Sequence, residues 1–236
     1  MIKILLVSVL SFFILASAGA FEPAEETGIK AREKARDLRQ NVKQEVKDTR
    51  ENIKTEIKET RQNVKEDLKA KRDDFKKTVE EKRMKAKETI EAKRTEFKEK
   101  LNKVKDERKR QAVDRINTRL NELNANRINH FLQILDKLDK TLDRIAERID
   151  RAEASGREVS AARTAVAEAE NAIASARSAV EAQSGKTYDI NITSESAVKN
   201  DTGKAREVLH NDLKAVNEAI KAAHEAVKKA ATIRHE

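Results

Sequence analysis

Asn41–Asp106 reads NVKQEVKDTRE NIKTEIKETRQ NVKEDLKAKRD DFKKTVEEKRM KAKETIEAKRT EFKEKLNKVKD, six consecutive eleven-residue units that are near copies of one another. The first apolar slot holds Val42, Ile53, Val64, Phe75, Ala86 and Phe97, and the second Val46, Ile57, Leu68, Val79, Ile90 and Leu101. Eleven residues make three helical turns, so this period keeps one stripe of a helix in line over any length. The repeat therefore predicts a long helix with a straight or slightly right-handed seam. No breaker interrupts the pattern, and the helix is expected to run from near Ile29 to about Ala154, on the order of 190 Å.

The composition fits that reading. Of the 236 residues 39% are charged and 3% aromatic, with five glycines and one proline. Such a profile belongs either to long helices or to disordered chains. A disordered chain needs no register, so the strict repeat favours the helix. Cysteine is absent, which excludes disulfides, thiolate zinc sites and cysteine nucleophiles.

Met1–Lys3 is a short basic start, Ile4–Leu15 an apolar run, and Ala18-Gly19-Ala20 a small-residue cleavage pattern. This is the layout of a secretory signal peptide. The apolar stretch through Ala20 is at the short end for spanning a bilayer, so export with cleavage is expected over anchoring. Phe21–Gly28 follows as a short acidic linker with the only proline.

Beyond the repeat the period changes to alternating steps of three and four. Ile128, Phe131, Leu135, Leu138, Leu142, Ile145, Ile149 and Ala152 form one heptad seam. Val159, Ala162, Val166, Ala169, Ile173, Ala176 and Val180 form a second, and Leu209, Leu213, Val216, Ile220, Ala223, Val227 and Ala230 a third. Gly156 and Gly185 stand at the joints, where a left-handed cap ends a helix. Lys186–Thr193 alternates in a β-prone way but is a single short run, so an extended connector is expected rather than a sheet. Matched seams with short links predict an antiparallel three-helix bundle.

The expected organisation is an all-α chain. Residues 1–20 are the signal peptide, 21–29 a linker and 30–110 an eleven-residue-repeat (hendecad) coiled-coil rod. Residues 111–236 are the three-helix bundle, with helices at about 111–154, 158–183 and 200–233.

Charge is placed unevenly. Between Lys30 and Arg110 there are 30 Lys and Arg against 19 Asp and Glu, whereas from Gln111 onward there are 20 of each. On the ideal helix Arg50, Lys43 and Lys47 lie to one side of the seam, and Glu45, Asn52 and Asp48 to the other. Parallel pairing brings unlike flanks together; antiparallel pairing brings like flanks together. A parallel homo-oligomer is therefore expected, through the seam of Val42, Val46, Ile53, Ile57, Val64, Leu68, Phe75, Val79, Ile90, Phe97 and Leu101. The argument is strongest in the first three units, because Thr78, Thr89 and Lys100 later replace Glu45, Glu56 and Asp67. A solitary charged helix held by local Glu–Lys pairs is the competing reading.

The basic row Arg39, Lys43, Arg50, Lys54, Arg61, Lys65, Arg72, Lys76, Arg83, Lys87, Arg94 and Lys98 is a candidate contact for an anionic envelope polymer. Lipid is a poorer match, since the apolar face is two residues per unit and acid-flanked. Nucleic acid is disfavoured by the low aromatic content and the expected export. The four histidines form no metal-binding spacing, and no phosphate loop or nucleophile elbow is present. No enzyme, cofactor or metal is expected. Asn191-Ile-Thr193 and Asn200-Asp-Thr202 fit the N-glycosylation pattern in the connector, where Thr202 serves equally well to start a helix.

The signal peptide, the Lys/Arg/Glu repeat ending in Lys105–Arg110, the EAQSGKTYDINIT stretch at Glu181–Thr193 and LHNDLKAV at Leu209–Val216 together resemble uncharacterised exported coiled-coil proteins of small-genome bacteria. That resemblance implies no activity, and no functional residue is carried over from it. The repeat is also similar to desiccation-associated eleven-residue-repeat proteins, which are richer in Ala and Thr at the seam. The expected function is that of an exported structural or interaction protein, a rod-like spacer presenting a small bundle at the cell envelope. The alternative is an electrostatic binder of anionic polymer, lipid or nucleic acid through the basic rod.

Overall fold

The computed structural model describes residues 24–233, with side chains from Lys30 onward. The expected signal peptide, the start of the linker and His235 lie outside the described residues. The described residues are all-α: α1 spans Ala24–Leu101, α2 Glu107–Ala154, α3 Ser160–Ser184 and α4 Val198–Thr232. They contain no strand.

Two expectations are corrected at once. Residues 24–29 belong to α1 rather than to a linker, and the helix expected to run unbroken to Ala154 stops at Leu101. The last turn of α1 tightens: Asn102, Lys103 and Val104 donate backbone bonds three residues back, at 3.1, 3.2 and 2.9 Å. Asp106 then caps α2, its carboxylate accepting from the amides of Arg108 and Lys109 at 2.9 and 3.2 Å. Glu195, just before α4, accepts the Lys105 and Asp106 amides at 3.1 and 3.3 Å. The donors that a helix start leaves open are thus met by two carboxylates. Leu101 and Val104, at 5% and 0% exposure, point both sides of the turn into the interior.

The chain divides into two compact units after Glu66, not at Arg110 as the composition shift had implied. In the first unit every described side chain from Lys30 to Thr60 is exposed. Val42, Val46, Ile53, Ile57 and Val64 keep 50, 56, 49, 39 and 52% of their surface.

The second unit, from Asp67, holds four helical segments rather than three. The first is the end of α1. Arg72 meets Asp143, Lys76 meets Asp136 and Lys82 meets Glu181, so this segment runs antiparallel to α2 and parallel to α3. Arg177–Asp139 and Arg163–Asp150 fix α2 and α3 as antiparallel. Lys229–Glu168 and Lys186–Asp212 do the same for α3 and α4. The order is up-down-up-down, the arrangement short connections impose on successive helices.

The three heptad seams of α2, α3 and α4 are buried, with Leu213 partly so. Ala162, Ala169, Ala176 and Ala223, all at 0–1% exposure, let α3 and α4 approach closely. Val79 at 1% joins this core from α1. Phe97, Leu101 and Val104 form a second core with Val113, Leu120, Tyr188, Ile190 and Ile192. Each large apolar side chain so buried contributes roughly 1.5–3 kcal/mol. Gly156, at φ +80°, closes α2 in the left-handed region, and Arg157 donates to the Ala152 carbonyl at 3.1 Å. This is the cap that a glycine one residue past a helix end supplies.

Candidate functional site

The irregular segment after α3, expected as an extended connector, is clamped along its length. Asn117, Asn121 and Asn124 stand at i, i+4 and i+7 on one face of α2. The Asn121 amide accepts the Tyr188 N–H at 2.8 Å and donates to the Tyr188 carbonyl at 2.8 Å. It thereby supplies both ladder bonds that a neighbouring strand would have given. Asn117 accepts the Ile190 N–H at 2.8 Å, and Asn124 donates to the Lys186 carbonyl at 3.2 Å. The β-prone segment therefore needs no sheet, because a helix offers it asparagine side chains in place of a strand. Buried backbone groups without partners cost free energy, and here the α2 ladder meets them.

Below the ladder lies a buried polar chain. Gln183, at 1% exposure, donates to the Asn124 side-chain oxygen at 2.8 Å and to the Tyr188 hydroxyl at 2.6 Å. That hydroxyl donates to Asp212 at 2.7 Å, and Lys186 pairs with the other Asp212 oxygen at 2.8 Å. Burial, and then the Asp212 bond, push the tyrosine far above its ordinary range, so it stays a neutral donor. Burial works to raise Asp212, but the Lys186 and Tyr188 bonds outweigh it and hold the carboxyl below the usual range. At the far end Asp201 accepts both the amide and the hydroxyl of Thr193, at 2.9 and 2.8 Å. The chemistry available here is that of a clasp. Every charged or polar group named is committed to a protein partner.

A second cluster joins α1 to α2 and α3. Arg72 forms a two-pronged pair with Asp143, both bonds at 2.8 Å, and its Nε lies 3.5 Å from Asp139. Arg177 bonds both Asp139 oxygens at 2.6 Å while its guanidinium sits 5.7 Å from the Phe75 ring. The Asp143 bond raises Arg72 further above neutrality. Burial pushes Asp139 up against the pull of Arg177 and Arg72. A planar fork matched to a carboxylate fixes helix register in a way a lysine does not.

The predicted basic row is divided by this packing. Arg39, Lys43, Arg50 and Lys54 are exposed in the first unit, where Arg61 and Lys65 also lie. Arg72, Lys76 and Arg83 are spent on Asp143, Asp136 and Glu80. Lys87 and Arg94 line a groove of about 520 Å³ between α1 and α2, but Glu80, Glu91, Asp114 and Glu122 line it too. Lys98 is exposed. The row is thus not a continuous cationic surface in the second unit.

The predicted seam divides in the same way. Val42, Val46, Ile53, Ile57 and Val64 are uncovered, Leu68, Phe75 and Ile90 are partly covered, and Val79, Phe97 and Leu101 are inside the chain's own cores. Those last three, expected to meet another copy, are covered instead by the chain's own α2 and its neighbours.

His130, His210 and His224 are exposed. No group of three or more metal-binding side chains is present among the described residues. Nor is any helix among them long and apolar enough to cross a membrane. Asn200 lies in the first turn of α4 with Thr202 buried at 7%, so this glycosylation pattern is helical rather than part of the connector. Asn191 is exposed, as a connector site requires.

The clasp residues Asn117, Asn121, Asn124, Gln183 and Asp212 escaped the sequence reading. Their signal is the i, i+4, i+7 asparagine spacing where the apolar period lapses, between Lys105 and Asn126. Neither a family model, nor a curated protein, nor a solved structure matches this chain.

Proposed function

We propose that this chain is an interaction protein of the cell envelope, with no catalytic role. Residues 24–66 form a self-association element, and residues 67–236 a folded recognition module. One observation carries the reading: five in-register aliphatic residues, Val42, Val46, Ile53, Ile57 and Val64, stay 39–56% exposed, while Val79 and Leu101, in the same second slot as Val46 and Ile57, are buried. A solitary charged helix has no use for a register of Val and Ile. A second copy in parallel covers the stripe and sets Arg50 and Lys43 against Glu45 and Asp48. Export rests on the N-terminal pattern alone.

Sedimentation equilibrium of the full chain tests this. A concentration-dependent dimer or trimer, lost in Val46→Glu/Ile53→Glu, is expected. A monomer throughout the accessible concentration range removes the proposal. The polymer-binding alternative draws on the exposed Arg39, Lys43, Arg50 and Lys54. Replacing Arg39, Lys43, Arg50 and Lys54 together by glutamine leaves the aliphatic stripe intact and distinguishes the two. A polymer binder loses its ligand, whereas an associating helix is only weakened.

A further inference from the structure

A groove of about 610 Å³ runs between α2 and α4, wholly within the second unit. Its floor is apolar: Leu120, Phe131 and Leu209 are buried, Leu213 is partly so, and Leu123 is left 44% exposed. Arg119, Arg127 and His130 line it from α2, and Arg206, His210 and Lys214 from α4. No carboxylate lines it. This is unlike the α1–α2 groove, where acids and bases alternate. Arg119, Arg127, Arg206 and Lys214 make no ion pair among the described residues, whereas Arg72, Arg163 and Arg177 of the same unit all do.

Both rims carry their charge in rows. Arg206, His210 and Lys214 are successive i, i+4 positions, which spreads them over about 12 Å of α4. Arg119, Arg127 and His130 extend over a longer stretch of α2. An amphiphile with one charged head satisfies one end of such a groove and leaves the other cations facing hydrocarbon. A polyanion satisfies the rims and leaves the leucine floor wet. An amphipathic helix satisfies both, with apolar residues at i, i+3, i+4 and i+7 on the floor and carboxylates along each shoulder.

We infer that the α2–α4 groove is a docking site for an acidic amphipathic helix of a partner protein. A second copy of this chain is a poor occupant, because only one flank of its exposed seam is acidic and the other carries Lys43, Arg50 and Lys54, which would face a cationic rim. The site is independent of self-association through residues 24–66, and either can fail without the other.

Fluorescence anisotropy on the full chain tests the inference. The probe is a labelled fourteen-residue helix with a leucine stripe and glutamate shoulders. Its controls are a scrambled peptide of the same composition, a lysine-for-glutamate version, polyglutamate and palmitate. The acidic helix is expected to bind saturably and at least tenfold more tightly than the scrambled, basic or polyglutamate probes. Its affinity should fall at least tenfold in Leu123→Asp and again in Arg119→Glu/Arg206→Glu. These side chains are exposed, and unchanged helical circular dichroism confirms that the variants fold. Equal binding of the scrambled peptide or polyglutamate overturns the inference. So does tighter one-to-one binding of palmitate, indifference to the rim reversals, or no saturation up to millimolar peptide.

Discussion

Asn121→Ala is the sharpest test of the clasp. The substitution removes the acceptor of the Tyr188 N–H and the donor to its carbonyl, both at 2.8 Å. Tyr188 is 4% exposed, so neither group gains free access to water. An unsatisfied buried polar group costs about 1–3 kcal/mol, and two of them about 2–6 kcal/mol. Against a whole-domain stability of roughly 5–15 kcal/mol this is a large share. A loss near 3 kcal/mol corresponds to a drop of about 6–12 °C in melting temperature for a unit of this size. Tyr188 is the only tyrosine and there is no tryptophan, so intrinsic fluorescence reports the connector while circular dichroism reports the helices. Chemical denaturation followed by both probes is expected to show a lowered midpoint, with the tyrosine signal moving at least as early as the helical one. A change below about 0.5 kcal/mol by both probes would refute the reasoning, because it would mean that the ladder bonds hold nothing the solvent does not.

Further outcomes rest on the same geometry. Val79→Ala, at a site 1% exposed, should cost about 1–3 kcal/mol in thermal unfolding. Val46→Ala, in the same slot but 56% exposed, should stay within about 0.5 kcal/mol at concentrations where the chain is monomeric. Gly156→Ala should destabilise by about 1–2 kcal/mol, because φ is +80° with nothing within 4 Å of the new methyl. Gly203→Ala, inside α4 with equal space, should stabilise by about 0.5–1 kcal/mol. Acid should loosen the connector first. The Thr193 amide and hydroxyl hold Asp201 below its ordinary range, and the Lys105 and Asp106 amides do the same for Glu195. Stability from such lowered carboxylates is full above their unfolded values near 4 and is lost as pH falls through the folded ones. Asp139 and Glu170, raised by burial, have the opposite sign. Amide exchange should therefore show Thr193, Lys105 and Asp106 losing protection below about pH 4, and Asp201→Asn should remove the pH dependence at Thr193.

The helices of the second unit were legible because heptad spacing is a direct image of burial. Every seam residue from Ile128 to Ala152 and from Val159 to Val180 is buried as read. The eleven-residue pattern was read correctly as helix and as stripe, but the stripe's partner was not legible. Val46 and Val79 look identical to a periodicity, and only the apolar core of α2 and α3, with the acids Asp136, Asp139 and Asp143 beside it, decides that one is covered. The stop at Leu101 was hidden for a different reason. Asp106 is an ordinary N-cap residue, but in a run where more than half of the residues are charged a capping aspartate has no contrast. The asparagine ladder was invisible because hydrogen-bonding side chains on a helix look like solvated surface until their partners, sixty or more residues away, are in place.

The division after Glu66 has a consequence for how the gene can change. One eleven-residue unit is three full turns, about 16 Å of helix, so adding or losing a copy preserves angular phase. Ahead of Glu66 copy number is free to drift, since no described side chain between Lys30 and Thr60 is packed inside the chain. Between Asp67 and Leu101 the same event slides Arg72 three turns past Asp143 and Phe97 out of its core. The first two units of the array can vary in number across generations, and the later ones are locked.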